Sequence, residues 1–382
     1  MEPGKIYQYN FPTIIRFGWG AVNELPQYLH QHQLSRPLIV TDATVAGLPF
    51  FKQILDLLKQ KNISPEVFSA IHKNPVKSDV YNGTQVWDHT DRDSIIGIGG
   101  GAALDVARAI VLRVFHREDL FKYDDLIGGD VYVTNDVPHF ITIPTTSGTG
   151  SEVGRSAIIA DDETHQKKIL FSPKLLARVV FADPALTMDL PPHVTAATGM
   201  DALTHNMEAF LAKNPHPICE GIALEGIALI KDSLETAVLK PDQLSRSKML
   251  QASMMGAIAF QKGLGVVHSL AHPLSSLLDT HHGLANAVNL PYGMAFNIAG
   301  FEDKFRRIAR TLELKEETGE AVVQYLFDLN SRIHIPLKLR DIGVQQEHIE
   351  TLADLAEADF AHPNNPKPVS REDFRQLYER AL

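Results

Sequence analysis

Asp201 and His205 stand four residues apart in Thr198-Gly-Met-Asp-Ala-Leu-Thr-His205. On a helix this spacing puts a carboxylate and an imidazole on one face, one turn apart. There the two can share one divalent cation. A metal needs further donors, and the chain offers candidates downstream. His268 and His272 repeat the four-residue spacing, and His281 and His282 follow Asp279. Any one of these histidines reads equally well as a hydrogen-bonded core residue. The two spaced pairs together point to a metal. Spacing alone favours His272 as the partner of His268.

A glycine loop is the second chemical signal. Ser94-Ile-Ile-Gly-Ile98 reads as a buried strand, and Gly99-Gly100-Gly101 separates it from a helix beginning near Ala102. Glycines at such a junction let backbone N–H groups approach a pyrophosphate, and the helix N-terminus adds partial positive charge. Gly97-Ile-Gly99-Gly-Gly-Ala102 matches a loose G-x-G-x-x-A pattern, although on a late strand. The competing reading is a tight turn with close helix–sheet packing. A third stretch, Pro144-Thr-Thr-Ser-Gly-Thr-Gly-Ser-Glu152, places hydroxyls and glycines at a strand end. These could line a phosphate or ribose, or simply cap a loop.

The elements that must position these groups fall into two halves. Apolar runs at Pro37–Thr41, Ser94–Ile98 and His139–Ile143 alternate with helical segments. Such alternation implies a parallel sheet covered on both faces. From about Leu190 the β-branched runs give way to long amphipathic segments broken by Pro215, Pro217, Pro241, Gly263, Gly265 and Pro336. The expected organisation is an α/β dinucleotide-binding domain over residues 1–187 and an all-helical metal-binding domain over residues 188–382. The expected site is a cleft between them.

Composition sets the outer limits. A chain of 382 residues with 44% hydrophobic and 21% charged residues is that of a globular enzyme of two domains. A net charge of −10 without a basic run disfavours nucleic acid and anionic membranes as partners. Cys219 is the only cysteine, which excludes an intrachain disulfide and fits a reducing compartment, with the cytoplasm as the expected location. Met1 to Tyr9 has no apolar core of a secretory signal, and no run is long enough to span a bilayer.

Taken together, Gly99-Gly-Gly-Ala-Ala-Leu-Asp105, Ile143-Pro-Thr-Thr-Ser-Gly-Thr-Gly-Ser-Glu-Val153, Ala197-Thr-Gly-Met-Asp-Ala-Leu-Thr-His205 and Gly263-Leu-Gly-Val-Val-His-Ser-Leu-Ala-His-Pro273 with His282-Gly-Leu-Ala-Asn286 resemble the iron-containing (group III) alcohol dehydrogenases. Phe17-Gly-Trp-Gly-Ala21 and Asn365-Pro-Lys367 fit the same pattern, so the resemblance spans nearly the whole chain. It implies a Rossmann-like N-terminal domain and a helical C-terminal domain. The implied metal ligands are Asp201, His205, His268 and His282, with His272 as the proton-handling catalytic residue. For the cofactor, NAD, it implies contacts from Gly99, Gly100, Gly101, Asp105, Thr145, Thr146, Thr149 and Lys168. The family's usual metal is Fe(II), and an N/O donor set also suits Zn(II).

The implied reaction is hydride transfer between a primary or secondary alcohol, or its carbonyl, and NAD(H), with the metal as Lewis acid on the substrate oxygen. A lyase or synthase of the dehydroquinate-synthase-like fold is the alternative. A homodimer is the expected assembly. Asp42, at the end of the second strand, is expected to accept from a ribose 2′-hydroxyl and to repel a 2′-phosphate. The chain departs from the family's pattern at Ala102, His281, Lys262 and Asn206. Lys262, with Arg155 and Asn206, suggests an anionic or polyhydroxylated substrate, because a lysine beside a metal needs an anion between them. The plainer alternative is that Lys262 points to solvent or pairs with a carboxylate.

Overall fold

The computed structural model describes residues 13–382. The Met1–Tyr9 stretch, read above as lacking a secretory signal, lies outside the described residues. Two compact units are present. One comprises the described residues up to Thr146 together with Gly150–Asp189, and the other Ser147–Thr149 with Leu190–Leu382.

In the first unit eight strands occur among the described residues: β1 (Ile14–Phe17), β2 (Pro37–Val40), β3 (Glu66–Phe68), β4 (Ser94–Gly99), β5 (His139–Pro144), β6 (Ser156–Ala160), β7 (Lys167–Phe171) and β8 (Val179–Ala182). Helices α1 (Leu25–Gln31), α2 (Ala43–Ala46), α3 (Pro49–Gln60), α4 (Lys77–His89) and α5 (Gly101–Phe115) lie between them. Six strands form one sheet in the order β1-β8-β5-β4-β2-β3, with every pairing parallel. Because side chains alternate along a strand, the central strands feed two cores. Leu38, Val40, Ile95 and Phe140 pack with Val106 and Ile110 of α5. Ile39, Ile96, Ile98, Ile141 and Ile143 pack with Leu25 and Leu29 of α1 and Phe51, Ile54 and Leu58 of α3. Burial on both faces explains why these strands read as unbroken apolar runs. The antiparallel hairpin β6–β7 is an element that the sequence reading did not foresee.

The direction of the chain changes between β2 and β4: β3 lies to one side of β2, and β4, β5 and β8 follow on the other. Ligands of open parallel sheets bind at the carboxyl ends of strands at such a switch. Here those ends belong to β2, β4 and β5, which carry Asp42, Gly99–Gly101 and Thr145–Thr146 just beyond them.

The second unit is helical: α6 (Pro192–Leu211), α7 (Pro217–Leu239), α8 (Gln243–Ala259), α9 (Val266–Leu278), α10 (His282–Asn297), α11 (Glu302–Thr311), α12 (Gly319–Arg332), α13 (Ile349–Glu357) and α14 (Arg371–Ala381). The sequence reading of this half did not include α10. Its residues are buried on nearly every side, so they carry no amphipathic stripe, and Pro291 lies inside it. The central helix α6 is buried from Thr195 to Leu211 apart from Thr198. Asp201, His205, Asn206 and Glu208 are therefore polar groups in a helix that meets almost no water. No helix among the described residues is long and apolar enough to cross a membrane.

Candidate metal centre and dinucleotide loop

Three helices supply one cluster. Asp201 and His205 come from α6, His268 from the first turn of α9, and His282 opens α10. One donor atom from each of the four lies within 4.8 Å of all the others. For metal–ligand bonds of about 2.1 Å, donors of one tetrahedral ion stand about 3.4 Å apart, so only small side-chain movements separate this cluster from a closed site. The rings crowd together: His205 and His268 stack at 4.8 Å, and His268 and His282 lie 5.4 Å apart.

The hydrogen bonds fix which nitrogens face inward. His205 Nδ1 lies 3.3 Å from the Gly148 carbonyl, which can only accept, so Nδ1 carries the proton and Nε2 is free. Burial pushes His205 down to about 4, keeping the ring neutral with its lone pair available. Asp201 Oδ1 lies 3.9 Å from His205 Nε2 and 3.5 Å from His282 Nε2. Asn286, one turn along α10 from His282, donates through Nδ2 to Asp201 Oδ1 at 2.8 Å. Its Oδ1 is buried without a hydrogen-bond partner.

Backbone packing sets the helix crossings. A Cβ on Gly283 would stand 2.4 Å from the Ala197 carbonyl oxygen, so only glycine lets α10 cross α6 this closely beside Asp201. A Cβ on Gly148 would meet the Thr198 side chain at 2.8 Å.

The donor set fits a divalent cation. Asp201 and the nearby Glu208 are both buried, and among the described residues neither pairs with Lys or Arg. Two buried carboxylates without a Lys or Arg partner are costly, and a divalent ion at the cluster would balance their charge. His272 lies just outside the cluster, its ring stacked on His282 at 5.4 Å and edge-on to His268 at 5.7 Å. Its Nδ1 faces Asp359 Oδ2 at 2.8 Å. His281 is the residue before α10 and is absent from the four-residue cluster.

One sequence reading is decided between its two alternatives here, and one is corrected. The Lys262 ammonium is held by acceptors of the protein itself. It donates to Glu220 Oε1 at 2.9 Å and to the Phe210 carbonyl at 3.0 Å, closing the C-terminal end of α6. Lys304 and Arg307 share the same carboxylate, so Lys262 follows the plainer alternative. Asn206 points away from the cluster into the contact of α6 with α7 and α8. It donates to the Ala202 and Ala252 carbonyls, and its side chain fills the space left by Gly226 and Gly256.

The loop residues divide similarly. Gly99 has φ +151°, and a Cβ on it would stand 2.6 Å from Ala103 Cβ and 3.5 Å from Asp42 Oδ2. The tight turn against α5 therefore requires glycine at this position. Gly100 precedes α5, and a Cβ there would stand 3.2 Å from Thr146 Oγ1. Thr145 is buried and its N–H donates to the Gly99 carbonyl. Asp42 accepts from Val45 N–H with Oδ1, capping α2. Thr149 belongs to the short Ser147–Thr149 segment that clusters with the helical unit.

Asp105 turns away from the loop. Its carboxylate accepts from Ser151 Oγ, from Ile158 N–H and from Arg108, whose buried guanidinium also holds Leu175, Ser151 and Ser156. A carboxylate so placed ties α5 to Ser151 and to β6, and beside a pyrophosphate it would be repelled. Lys168 sits on β7 with Nζ 3.5 Å from Asp124 Oδ2, so its charge is answered within the hairpin region.

Glu208 was not singled out from the sequence. It lies seven residues after Asp201 and three after His205, which is the same helical face. A third polar residue at that spacing on an otherwise apolar helix was the available signal.

Models of two families match the chain: "Iron-containing alcohol dehydrogenase" over residues 12–184 and "Fe-containing alcohol dehydrogenase family, C-terminal" over residues 195–382. The chain is 35% identical to 4-hydroxybutyrate dehydrogenase of Cupriavidus necator over 380 residues, covering 97% of this chain and 98% of that one. Among solved structures, a 1,3-propanediol oxidoreductase superposes with a TM-score of 0.94 at 30% identity, covering 99% of this chain and 100% of the other. A sulfoacetaldehyde reductase from Bifidobacterium kashiwanohense in complex with NAD+ gives a TM-score of 0.87 at 25% identity, with 99% of each chain covered.

Proposed function

The chain belongs to the iron-containing alcohol dehydrogenase family, and from that premise we propose that its buried Asp201–His205–His268–His282 cluster is the metal centre of an NAD-dependent alcohol dehydrogenase. The enzyme is an oxidoreductase that moves a hydride between an alcohol, or its carbonyl, and NAD(H). The observation that carries the site assignment is the convergence of four donors within 4.8 Å in a buried setting.

When bound, a divalent metal supplies Lewis acidity toward the substrate oxygen and NAD supplies the hydride acceptor. The protein's part is positional. Asp201 and the inward-facing imidazole nitrogens hold the ion, and Gly148 orients His205. His272, whose Nδ1 is held by Asp359, offers Nε2 as acceptor for the alcohol proton. Gly99–Gly101 and Thr145–Thr146 receive the cofactor's phosphates, with Asp42 at its ribose.

For the substrate we propose a short alcohol bearing a remote anionic group. The names of two relatives, 4-hydroxybutyrate dehydrogenase and sulfoacetaldehyde reductase, refer to such compounds. Lys262 cannot read that anion. Arg155, half-buried with its guanidinium 5.5 Å over the Phe171 ring, has no carboxylate partner among the described residues and is the remaining cation from the sequence reading. A homodimer in the cytoplasm completes the proposal. Its support is that, among the described residues, β1 lies at the edge of the sheet with Ile14 exposed, and that an exposed strand edge invites pairing.

The test is reconstitution. Metal-stripped protein, reloaded separately with Fe(II) and Zn(II), should reduce NAD with alcohols and accumulate NADH stoichiometrically with product. Metal-independent turnover would defeat the proposal.

A further inference from the structure

We propose that Glu208 is a positioning residue of the metal centre: it fixes the tautomer and direction of His268 and supplies the second of two negative charges that retain a divalent ion. The inference rests on the ligand set proposed above and names a residue outside it.

Glu208 Oε2 lies 2.6 Å from His268 Nδ1, and both side chains are buried. A carboxylate only accepts, so His268 carries its proton on Nδ1 and presents the Nε2 lone pair to the cluster. The other oxygen, Oε1, accepts the Val267 N–H at 2.6 Å. One carboxylate thus grips both the ring and the helix turn that carries it. The adjacent Val266 N–H is taken by Asn365 Oδ1 at 3.2 Å, so the first turn of α9 is held from two sides.

His268 differs from His205 in this respect. His205 Nδ1 faces a neutral carbonyl at 3.3 Å, whereas His268 Nδ1 faces a charge at 2.6 Å. His268 is therefore held by a short charge-assisted contact and His205 by a longer neutral one. The charge count agrees. Among the described residues Glu208 has no Lys or Arg partner, and its compensation comes from His268 and the N-terminus of α9. With Asp201 it gives two negative charges among neutral rings, the complement of one dication.

A purely structural role, capping α9, would make a different prediction, and Glu208→Gln separates the two. Glutamine keeps the size and can still accept from Val267, but it then turns its amide N–H toward His268 Nδ1 and favours the wrong tautomer. The experiment titrates metal-free protein with Zn(II) against a competing chelator, with NAD binding and the thermal midpoint of the metal-free form as controls. Glu208→Gln should bind Zn(II) about 10–100-fold more weakly with both controls near wild type. Wild-type Zn(II) affinity would overturn the proposal. If this variant does not fold, Glu208→Asp carries the test. It keeps the charge but is too short to hold both partners, so it should also weaken Zn(II), and unchanged affinity would again overturn the idea. Asp201→Ala is run alongside. Loss of Zn(II) there with normal affinity in the Glu208 variants rejects Glu208 alone, whereas normal affinity in Asp201→Ala rejects the ligand set itself.

Discussion

Asp359 Oδ2 lies 2.8 Å from Nδ1 of His272, although 87 residues separate them in the chain. The same carboxylate accepts from Ser269 Oγ and from Ala361 N–H. Burial alone would push Asp359 up, but the His272 ring, the Ser269 hydroxyl and the Ala361 amide together hold it down to about 2. It is therefore an anion at any working pH and holds the His272 ring through Nδ1. His272→Ala should retain bound metal and lower kcat by roughly 10²–10⁴-fold, the usual value of a positioned proton acceptor. Metal analysis beside steady-state kinetics checks this, and metal loss on the scale of Asp201→Ala would move His272 into the ligand set.

Gly283→Ala tests the helix crossing. The added methyl would stand 2.4 Å from the Ala197 carbonyl oxygen, a backbone atom that cannot swing aside. The α6–α10 contact must open, at a cost of about 1–3 kcal/mol for overpacking, and His282 must move with it. A lower thermal midpoint together with weaker Zn(II) binding is expected. An unchanged midpoint would mean that the crossing is looser than described.

Asp42→Gly should raise the ratio of kcat/KM with NADP to that with NAD by tenfold or more, on the order of 1.4 kcal/mol. The carboxylate has one oxygen on the α2 cap and the other close to the Gly99 turn. If Asp42 only caps the helix, the variant will lose a few tenths of a kcal/mol in stability and its cofactor ratio will stay put.

The substrate proposal predicts a contrast between two cations. Arg155→Ala should lose efficiency on hydroxy acids by about tenfold or more while changing little on plain alcohols. Lys262→Met keeps the buried stem but breaks the contact with Glu220. It should lower the thermal midpoint and leave the ratio of efficiencies between the two substrate classes unchanged. Selectivity that follows Lys262 instead would restore the first reading of that residue.

Glu152 gives a pH dependence. It is buried, Oε1 has no hydrogen-bond partner, and burial pushes it up to about 7. Between its unfolded value near 4.5 and about 7, the folded state holds the extra proton. Stability contributed by this group therefore falls as pH rises through that window and stays low above it. The difference in unfolding free energy between Glu152→Gln and wild type should grow from pH 4.5 to 7, reaching on the order of 2–3 kcal/mol in favour of the variant. Denaturant titrations at several pH values measure it, and a flat difference would contradict the assignment.

Strands β2, β4 and β5 were legible because they are buried on both faces and read as unbroken apolar runs, and in the helical half local spacing puts Asp201 with His205 on one helix. Spacing constrains only neighbours within a single element. Nothing local could choose between His272 and His282, which are four and fourteen residues from His268. The resemblance to the family pointed to His282, and the crossing of α6, α9 and α10, with Gly283 against the Ala197 carbonyl, brings it into the cluster. Helix α10 escaped notice because a helix buried all round has no polar face to give it a period. Lys262 was left between two alternatives for a related reason. A lysine's charge is readable from sequence, but its partner Glu220 lies 42 residues away on another helix. Glu208 likewise meets His268 across 60 residues. Residue types and their local period were determined by the chain alone, whereas which buried charge meets which nitrogen was decided by helix packing.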